Sequence, residues 1–110
     1  MGNSVIYSAV FIKKAKIYKK KYLSLMNDLY ELEEKLLENP EQGIDLGAGL
    51  YKIRLAVKSK GKGKSGGFRI ITYLISDTPS GTIVNMLTLY DKSEERNIDK
   101  KELQKIIKAL

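Results

Sequence analysis

The sequence contains neither cysteine nor histidine, and each absence narrows the chemistry that the protein can perform. Without cysteine there is no disulfide framework, no thiol nucleophile and no cysteine zinc site. Without histidine the chain lacks the most common general base and the most common metal ligand. Any catalysis must therefore depend on Lys, Arg, Tyr, Asp, Glu or Ser.

Long apolar runs and targeting signals are also missing. The uninterrupted apolar runs are only a few residues long, whereas a membrane span needs about 20. No basic stretch precedes the apolar N-terminal patch, and no small-residue cleavage site follows it. We therefore expect a soluble, cytoplasmic protein without a membrane partner. The 110 residues, 43% of them hydrophobic, fit a single domain over residues 1–110.

Positive charge is in excess and unevenly distributed. The formal net charge is +7, which favours a polyanionic partner such as nucleic acid, an anionic membrane surface or an acidic protein. Residues 1–22 hold six lysines and no acid, and residues 23–46 hold seven acids, so two helices of opposite charge could simply pair. Residues 47–69 hold seven basic residues and no acid, among glycines and on a predicted strand.

Apolar residues at steps of three and four predict two helices joined as an antiparallel hairpin. The first begins near Ser8 and buries Phe11, Ala15, Tyr18 and Tyr22. The second is capped by Ser24, ends at Asn39-Pro40 and buries Leu25, Leu29, Leu32 and Leu36. A last helix follows Asp99 and buries Leu103, Ile106, Ile107 and Leu110.

The remaining segments alternate or are apolar throughout, as strands are. They are residues 5–7, 51–58, 68–75 and 82–90, and residues 39–49 are predicted to be a loop. The last three strands are joined briefly and should form an antiparallel meander, covered by the helix hairpin. The predicted fold is therefore α+β with two layers: an N-terminal helix hairpin on a mainly antiparallel sheet, with a C-terminal helix.

The Gly-rich loop over residues 58–67 is the first candidate site. Its Gly63-Lys64-Ser65 is similar to the end of a nucleotide-binding P-loop, but Lys58 stands where that motif needs glycine and a strand follows instead of a helix. A flexible cationic loop remains, suited to RNA phosphates through Lys58, Lys60, Lys62 and Lys64. The alternative is a solvated hairpin tip.

A second candidate site lies on the predicted sheet, where a meander could bring five residues to one side: Lys52, Arg54, Arg69, Tyr90 and Lys92. A cluster of these types without a carboxylate is a poor metal site and a good phosphodiester site. Lysine or tyrosine could also transfer protons. The alternative is a basic edge strand that discourages aggregation.

Several segments in this order resemble the RelE/HigB toxins of bacterial type II toxin–antitoxin modules, within the RelE/ParE superfamily. They are residues 51–55, the Gly/Lys loop, residues 67–73, residues 87–92, the end of the helix hairpin at residues 38–41, and the tail over residues 92–98. The resemblance runs from about Phe11 to Leu110 and implies a RelE-like fold. The Gly/Lys loop is most similar to the HigB branch.

The resemblance implies a ribosome-dependent endoribonuclease, an mRNA interferase that cuts message in the ribosomal A site and is inhibited by a cognate antitoxin. No metal or cofactor is expected, since the 2′-hydroxyl attacks its neighbouring phosphate. By this resemblance Arg69 clamps the scissile phosphate, and Lys52 acts as general base or stabilises charge. Arg54 stands where the family often has lysine, and because arginine does not readily give up a proton it is expected to bind phosphate. Tyr90 or Lys92 would be the general acid. A C-terminal tyrosine that some members use has no counterpart here.

Two other functions remain open at this point. One is a ParE-like toxin that inhibits DNA gyrase without nuclease activity, although ParE-like proteins generally lack the basic sheet face. The other is a basic RNA-binding module without catalysis, which would bind with steep salt dependence.

Overall fold

The computed structural model describes residues 2–61, 63, 66–94 and 98–110. In chain order its elements are β1 (Ser4–Tyr7), α1 (Ala9–Lys21), α2 (Leu25–Glu38), β2 (Ile44–Gly47), β3 (Leu50–Leu55), a 3₁₀ turn (Lys58–Lys60), β4 (Phe68–Thr78), β5 (Gly81–Asp91) and α3 (Lys100–Lys108). None of the helices in the described ranges has the length and apolar character needed to cross a membrane.

One sheet of five strands organises the molecule, in the order β1-β5-β4-β3-β2. β1 pairs with β5 in parallel, and the other three pairings are antiparallel. β4 is the central strand, with Ile70 in the core on one face and Ile71 in a second core on the other. The prediction of an α+β fold with a mainly antiparallel sheet is therefore confirmed.

The helix hairpin covers one face of the sheet, as its periodicity predicts. Buried residues of α1 and α2 pack against β3, β4 and β5, and they include Phe11, Leu25 and Leu36. Full burial of each such side chain contributes about 1.5–3 kcal/mol. Ser8 anchors the start of α1, because its Oγ accepts a bond from the Phe11 amide (3.0 Å) and donates to the Leu87 carbonyl of β5 (2.6 Å).

Ser24 stands at the N-cap position of α2, as the sequence predicts, but its side chain makes no capping bond, and its backbone is already helical (φ −84°, ψ −6°). The Ser24 hydroxyl instead donates to the Asp28 carboxylate (2.7 Å) and bonds with Ser59 across the molecule. Asp28 also accepts from the Lys58 amide (3.1 Å), so this corner fixes the chain that leaves β3.

α3 covers part of the opposite face of the sheet. Asp99 caps it by accepting from the Lys101 amide (3.0 Å), as predicted. Leu103 and Ile106 are buried against Ile71 and Leu87, where a register shift between β4 and β5 turns Leu87 toward α3. Leu110 was predicted to be buried but is 52% exposed, because α3 ends before it.

β2 is the strand that the sequence analysis missed, since residues 39–49 were predicted to be a loop. It is a four-residue edge strand, exposed at every position, and its apolar alternation is limited to Ile44 and Leu46, which is too short to separate a strand from a loop. A tight turn joins it to β3, with positive φ at Gly47, Ala48 and Gly49. β3 also ends at Leu55, three residues earlier than predicted, because Lys58–Lys60 form a 3₁₀ turn.

Candidate functional site

Three residues of the predicted site stand side by side on β3, β4 and β5, near the edge of the sheet where β4 begins and β5 ends. Arg54 of β3 is the register partner of Arg69 of β4, and Arg69 is in turn the partner of Tyr90 of β5. Directly opposed residues on neighbouring strands share a face, with Cβ atoms about 4.5–5.5 Å apart. We call Arg54, Arg69 and Tyr90 the arginine row.

The arginine row lies on the face of the sheet that the helix hairpin leaves uncovered. Its sequence neighbours Leu55, Ile70 and Leu89 pack into the core beneath α1 and α2. Because successive side chains of a strand point to opposite faces, the row points away from that core. This alternation also separates Asp91 from the row, since its carboxylate accepts a bond on the hairpin side from Tyr22, the residue that follows α1 (3.0 Å).

Solvent exposure increases along the arginine row from Tyr90 to Arg54. Tyr90 is fully buried, Arg69 is 5% exposed, and Arg54 is exposed to solvent. The Arg69 guanidinium donates from Nη1 to the carbonyl of Phe68 (3.2 Å). Burial lowers the pKa of Arg69, and repulsion from Arg54 lowers it further, while Tyr90 acts in the opposite direction. The row therefore runs from a buried phenol through a buried cation to an exposed cation.

Two like charges directly opposite each other on neighbouring strands destabilise a sheet. The pair Arg54–Arg69 has this arrangement, and the charge of Arg69 is partly desolvated. An anion bound at both guanidiniums would offset the repulsion. Arginine forks match the geometry of a phosphate, so a phosphate group is the anion that fits.

The two lysines predicted for this site flank the row. Lys52 is two residues from Arg54 on β3, hence on the same face, and it is half-buried. Lys92 directly follows β5, and its amide donates to the carbonyl of Gly67 (3.0 Å), which keeps its backbone beside the start of β4. Four of the five predicted residues thus share one face, and Lys92 lies at the end of the same ladder.

The loop lysines differ from one another. Lys58 is exposed and lies 3.5 Å from Glu31 in a solvent-accessible ion pair. Such pairs contribute about 0–1 kcal/mol, so Lys58 could exchange Glu31 for another anion at little cost. Lys62 and Lys64 lie outside the described residues.

Lys60 is buried, whereas the sequence analysis predicted that it would contact RNA. Its side chain is 6% exposed, and its Nζ lies 2.6 Å from Oδ1 of the fully buried Asp91. The same ammonium donates to the carbonyl of Gly66 (2.6 Å) and to the hydroxyl of Ser93 (3.2 Å). These contacts indicate that Lys60 stabilises the fold, and we do not propose it as an RNA-binding residue.

Sequence reasoning missed the partners that hold Lys60. Asp91 accepts at its carboxylate from Lys60, from both the amide and the hydroxyl of Ser93, and from the hydroxyl of Tyr22. We call Tyr22, Lys60, Asp91 and Ser93 the Lys60–Asp91 cluster. Strand alternation does indicate where the Asp91 side chain points. Asp91 directly follows Tyr90 in β5, so the two side chains point to opposite faces of the sheet, and Asp91 faces the helices. Nothing in the sequence indicates that Lys60 returns to meet it.

The Lys60–Asp91 cluster holds three segments together near the arginine row: the end of α1, the root of the Gly-rich loop and the turn after β5. Burial by itself raises the pKa of Asp91, but hydrogen bonds from Lys60, Ser93 and Tyr22 outweigh it and lower the pKa to about 2. The carboxylate therefore remains ionised at neutral pH, and its charge is compensated within the cluster.

Beside the row, a cleft of about 410 Å³ opens between α3 and the β2–β3 turn, and Lys52 lines it. The described residues contain no group of three or more acidic side chains able to hold a metal ion. Within the described part of the chain, the arrangement is a cationic surface in which the Arg69 guanidinium is deeply placed, next to a mostly apolar cleft.

Comparison with known families agrees with this fold. A family model described as the RelE toxin of the RelE/RelB toxin–antitoxin system matches residues 9–110, all but the first eight residues of the chain. The match begins at the first residue of α1 and includes every strand that contributes to the arginine row.

Proposed function

The chain belongs to the RelE family of toxins from toxin–antitoxin systems, and on that premise we propose that it is a ribosome-dependent endoribonuclease. Its substrate would be messenger RNA in the ribosomal A site, and cleavage there would inhibit translation. The observation that carries the proposal is the register pairing of Arg54 with Arg69, one exposed and one buried, on the face that the helix hairpin leaves uncovered.

The proposed reaction is an internal transfer at one phosphodiester. The 2′-oxygen of a ribose forms a bond to the adjacent phosphorus while the bond from phosphorus to the 5′-oxygen breaks. The proton of the 2′-hydroxyl passes to a base, and the leaving 5′-oxygen receives a proton from an acid. The products are a 2′,3′-cyclic phosphate and a 5′-hydroxyl, so the reaction needs no water and no metal-bound nucleophile.

Arg69 is suited to stabilise the charge that develops on the phosphate. A donor already held in place by burial and by its bond to the Phe68 carbonyl needs little reorganisation during reaction. Arg54, at the solvent end of the row, would bind the incoming phosphate. Lys52 would either accept the proton of the 2′-hydroxyl or add positive charge beside it.

Lys92 is the better candidate for the general acid. The phenol of Tyr90 has no exposed surface, whereas Lys92 is half-buried at the end of β5. We therefore assign proton donation to Lys92 and assign Tyr90 to holding Arg69 in position. The exposed Lys58, with Lys62 and Lys64 of the Gly-rich loop, would contact RNA backbone or ribosomal RNA.

Family membership implies an antitoxin as partner. Complementarity to a chain of net charge +7 favours an antitoxin surface rich in acidic side chains. The ribosome and its message would be the other partners, and action on ribosomes would locate the toxin in the cytoplasm.

The test is to map messenger RNA 5′ ends after brief expression of the wild type and of Arg54→Ala, Arg69→Ala and Arg69→Lys. We expect new 5′ ends and growth arrest for the wild type and neither for the alanine variants. Arg69→Lys should be impaired too, since lysine lacks the bidentate fork. Lys105→Ala, on an exposed position of α3, is the matched control and should remain toxic.

Circular dichroism must show that each variant is folded. Full toxicity of folded Arg54→Ala and Arg69→Ala would contradict the proposed site. Growth arrest by the wild type without new 5′ ends, together with inhibition of gyrase supercoiling, would favour the ParE-like alternative.

A further inference from the structure

The cleft beside Lys52 has the composition of a small-molecule site. Its walls include the apolar side chains of Leu46, Leu50 and Leu103, from β2, β3 and α3 respectively. Its volume of about 410 Å³ lies within the range of ligand sites, which are mostly apolar with a few placed polar groups. The wall opposite α3 is the β2–β3 turn.

That turn brings backbone rather than bulky side chains to the cleft. Gly47 and Ala48 line it, and Ala48 has a φ of 54°, in the left-handed region that non-glycine residues rarely adopt. Strained residues of this kind tend to be retained near ligand sites. A flat ring could therefore lie against the turn on one side and against Leu103 on the other.

The polar groups of the cleft suit a nucleotide. Lys52 and Lys100 supply positive charge at its rim, and among the described lining residues none is acidic. Gln104 supplies a neutral amide, which can both donate and accept hydrogen bonds as the edge of a nucleobase requires.

The cleft also adjoins the proposed phosphate site. Lys52 belongs to both, and it stands two residues from Arg54 on the same strand and the same face. Two strand residues span about 7 Å. A phosphate held between Arg54 and Arg69 would leave the base of an adjoining nucleotide within reach of the cleft.

We propose that the cleft between α3 and the β2–β3 turn binds the base of a nucleotide that flanks the cut phosphodiester, and that Gln104 reads its edge. This inference rests on the proposed nuclease function. It makes Gln104 a residue that determines where the message is cut, without taking part in the transfer itself.

The first test uses cleavage of a randomised message on ribosomes. Gln104→Ala should change the ratio of cutting at favoured and disfavoured flanking bases by about tenfold, the order of one side chain-to-base contact. Leu46→Trp should fill the cleft and raise KM about tenfold at an unchanged kcat, as expected for lost uniform binding. The matched controls, Lys105→Ala and Ile44→Trp, change neighbouring exposed residues outside the cleft and should behave as the wild type.

The second test needs no ribosome. Adding nucleoside 5′-monophosphates to the isolated protein should shift the NMR signals of the Gln104 side-chain amide, and Leu46→Trp should abolish the shift. Unmoved Gln104 signals, or an unaltered base preference in both cleft variants while the wild type cuts, would overturn the inference. A wild type that shifts these signals yet cuts no message would refute the proposed function and leave the base site standing.

Discussion

Removal of the Lys60 ammonium is the perturbation whose effect the structure defines best. Lys60→Met keeps a long apolar stem but leaves the fully buried Asp91 carboxylate without its ion-pair partner at 2.6 Å. Breaking a buried pair from one side costs about 3–5 kcal/mol. That is a large part of the roughly 5–15 kcal/mol by which small domains are stable.

Urea denaturation followed by circular dichroism measures this cost. We expect a much lower midpoint at an unchanged m-value, since the surface exposed on unfolding is the same. Lys58→Met is the matched control, because the exposed pair Lys58–Glu31 should contribute less than about 1 kcal/mol. The double variant Lys60→Met/Asp91→Leu should lose less stability than the two single variants together, since it removes both charges of the buried pair.

A loss of stability in Lys60→Met as small as that in Lys58→Met would contradict this dependence of the buried carboxylate on Lys60. So would losses of the two single variants that simply added in the double variant. Either result would mean that Lys60 and Asp91 do not depend on each other in the folded protein.

Acid denaturation, a glycine substitution and the salt dependence of RNA binding test three other features of the structure. In the folded protein the pKa of Asp91 is about 2, against an ordinary value of 3.8. Its ionised carboxylate therefore contributes about 2 kcal/mol to the free energy of unfolding above pH 4, and this contribution is lost as the pH falls through 2. In Asp91→Asn the free energy of unfolding, measured by urea denaturation, should change less over that pH range. Gly67→Ala should lower the free energy of unfolding by more than about 1 kcal/mol, because a Cβ at this position would lie 2.1 Å from the Leu55 carbonyl oxygen. Gly2→Ala, where a Cβ would meet open space, should leave the midpoint of urea denaturation unchanged. RNA binding, measured by fluorescence anisotropy, should weaken steeply with salt, and Lys58→Ala should reduce the slope of log affinity against log salt by about one; an unchanged slope would exclude a phosphate contact by Lys58.

Periodicity was sufficient to predict most of the fold. The spacing of Leu25, Leu29, Leu32 and Leu36 predicts α2, whose observed core face is this same set. The alternation in β3 predicts that Lys52 and Arg54 share a face, and the structure agrees. These features depend on local repeats that one segment carries by itself.

Features that depend on how distant segments meet could not be predicted in this way. β2 has only four residues, all exposed, and the alternation of Ile44 and Leu46 is too short to separate a strand from a loop. Lys60 lies in a run of similar lysines, and its burial depends on the loop returning to Asp91, 31 residues later in the chain. The cleft beside Lys52 is lined by residues of β2, β3 and α3, and no single one of these segments indicates a cleft in the sequence.

The central claim is that Arg69, held by burial beside Arg54, stabilises the charge on a phosphate during cleavage. Single-turnover cleavage of a defined message on purified ribosomes, by the wild type and by folded Arg69→Ala, tests this claim most directly. The account predicts a fall of about a hundredfold or more in the rate of the cleavage step, the order of losing one preorganised donor. An equal rate for the two proteins at saturating concentrations would contradict it.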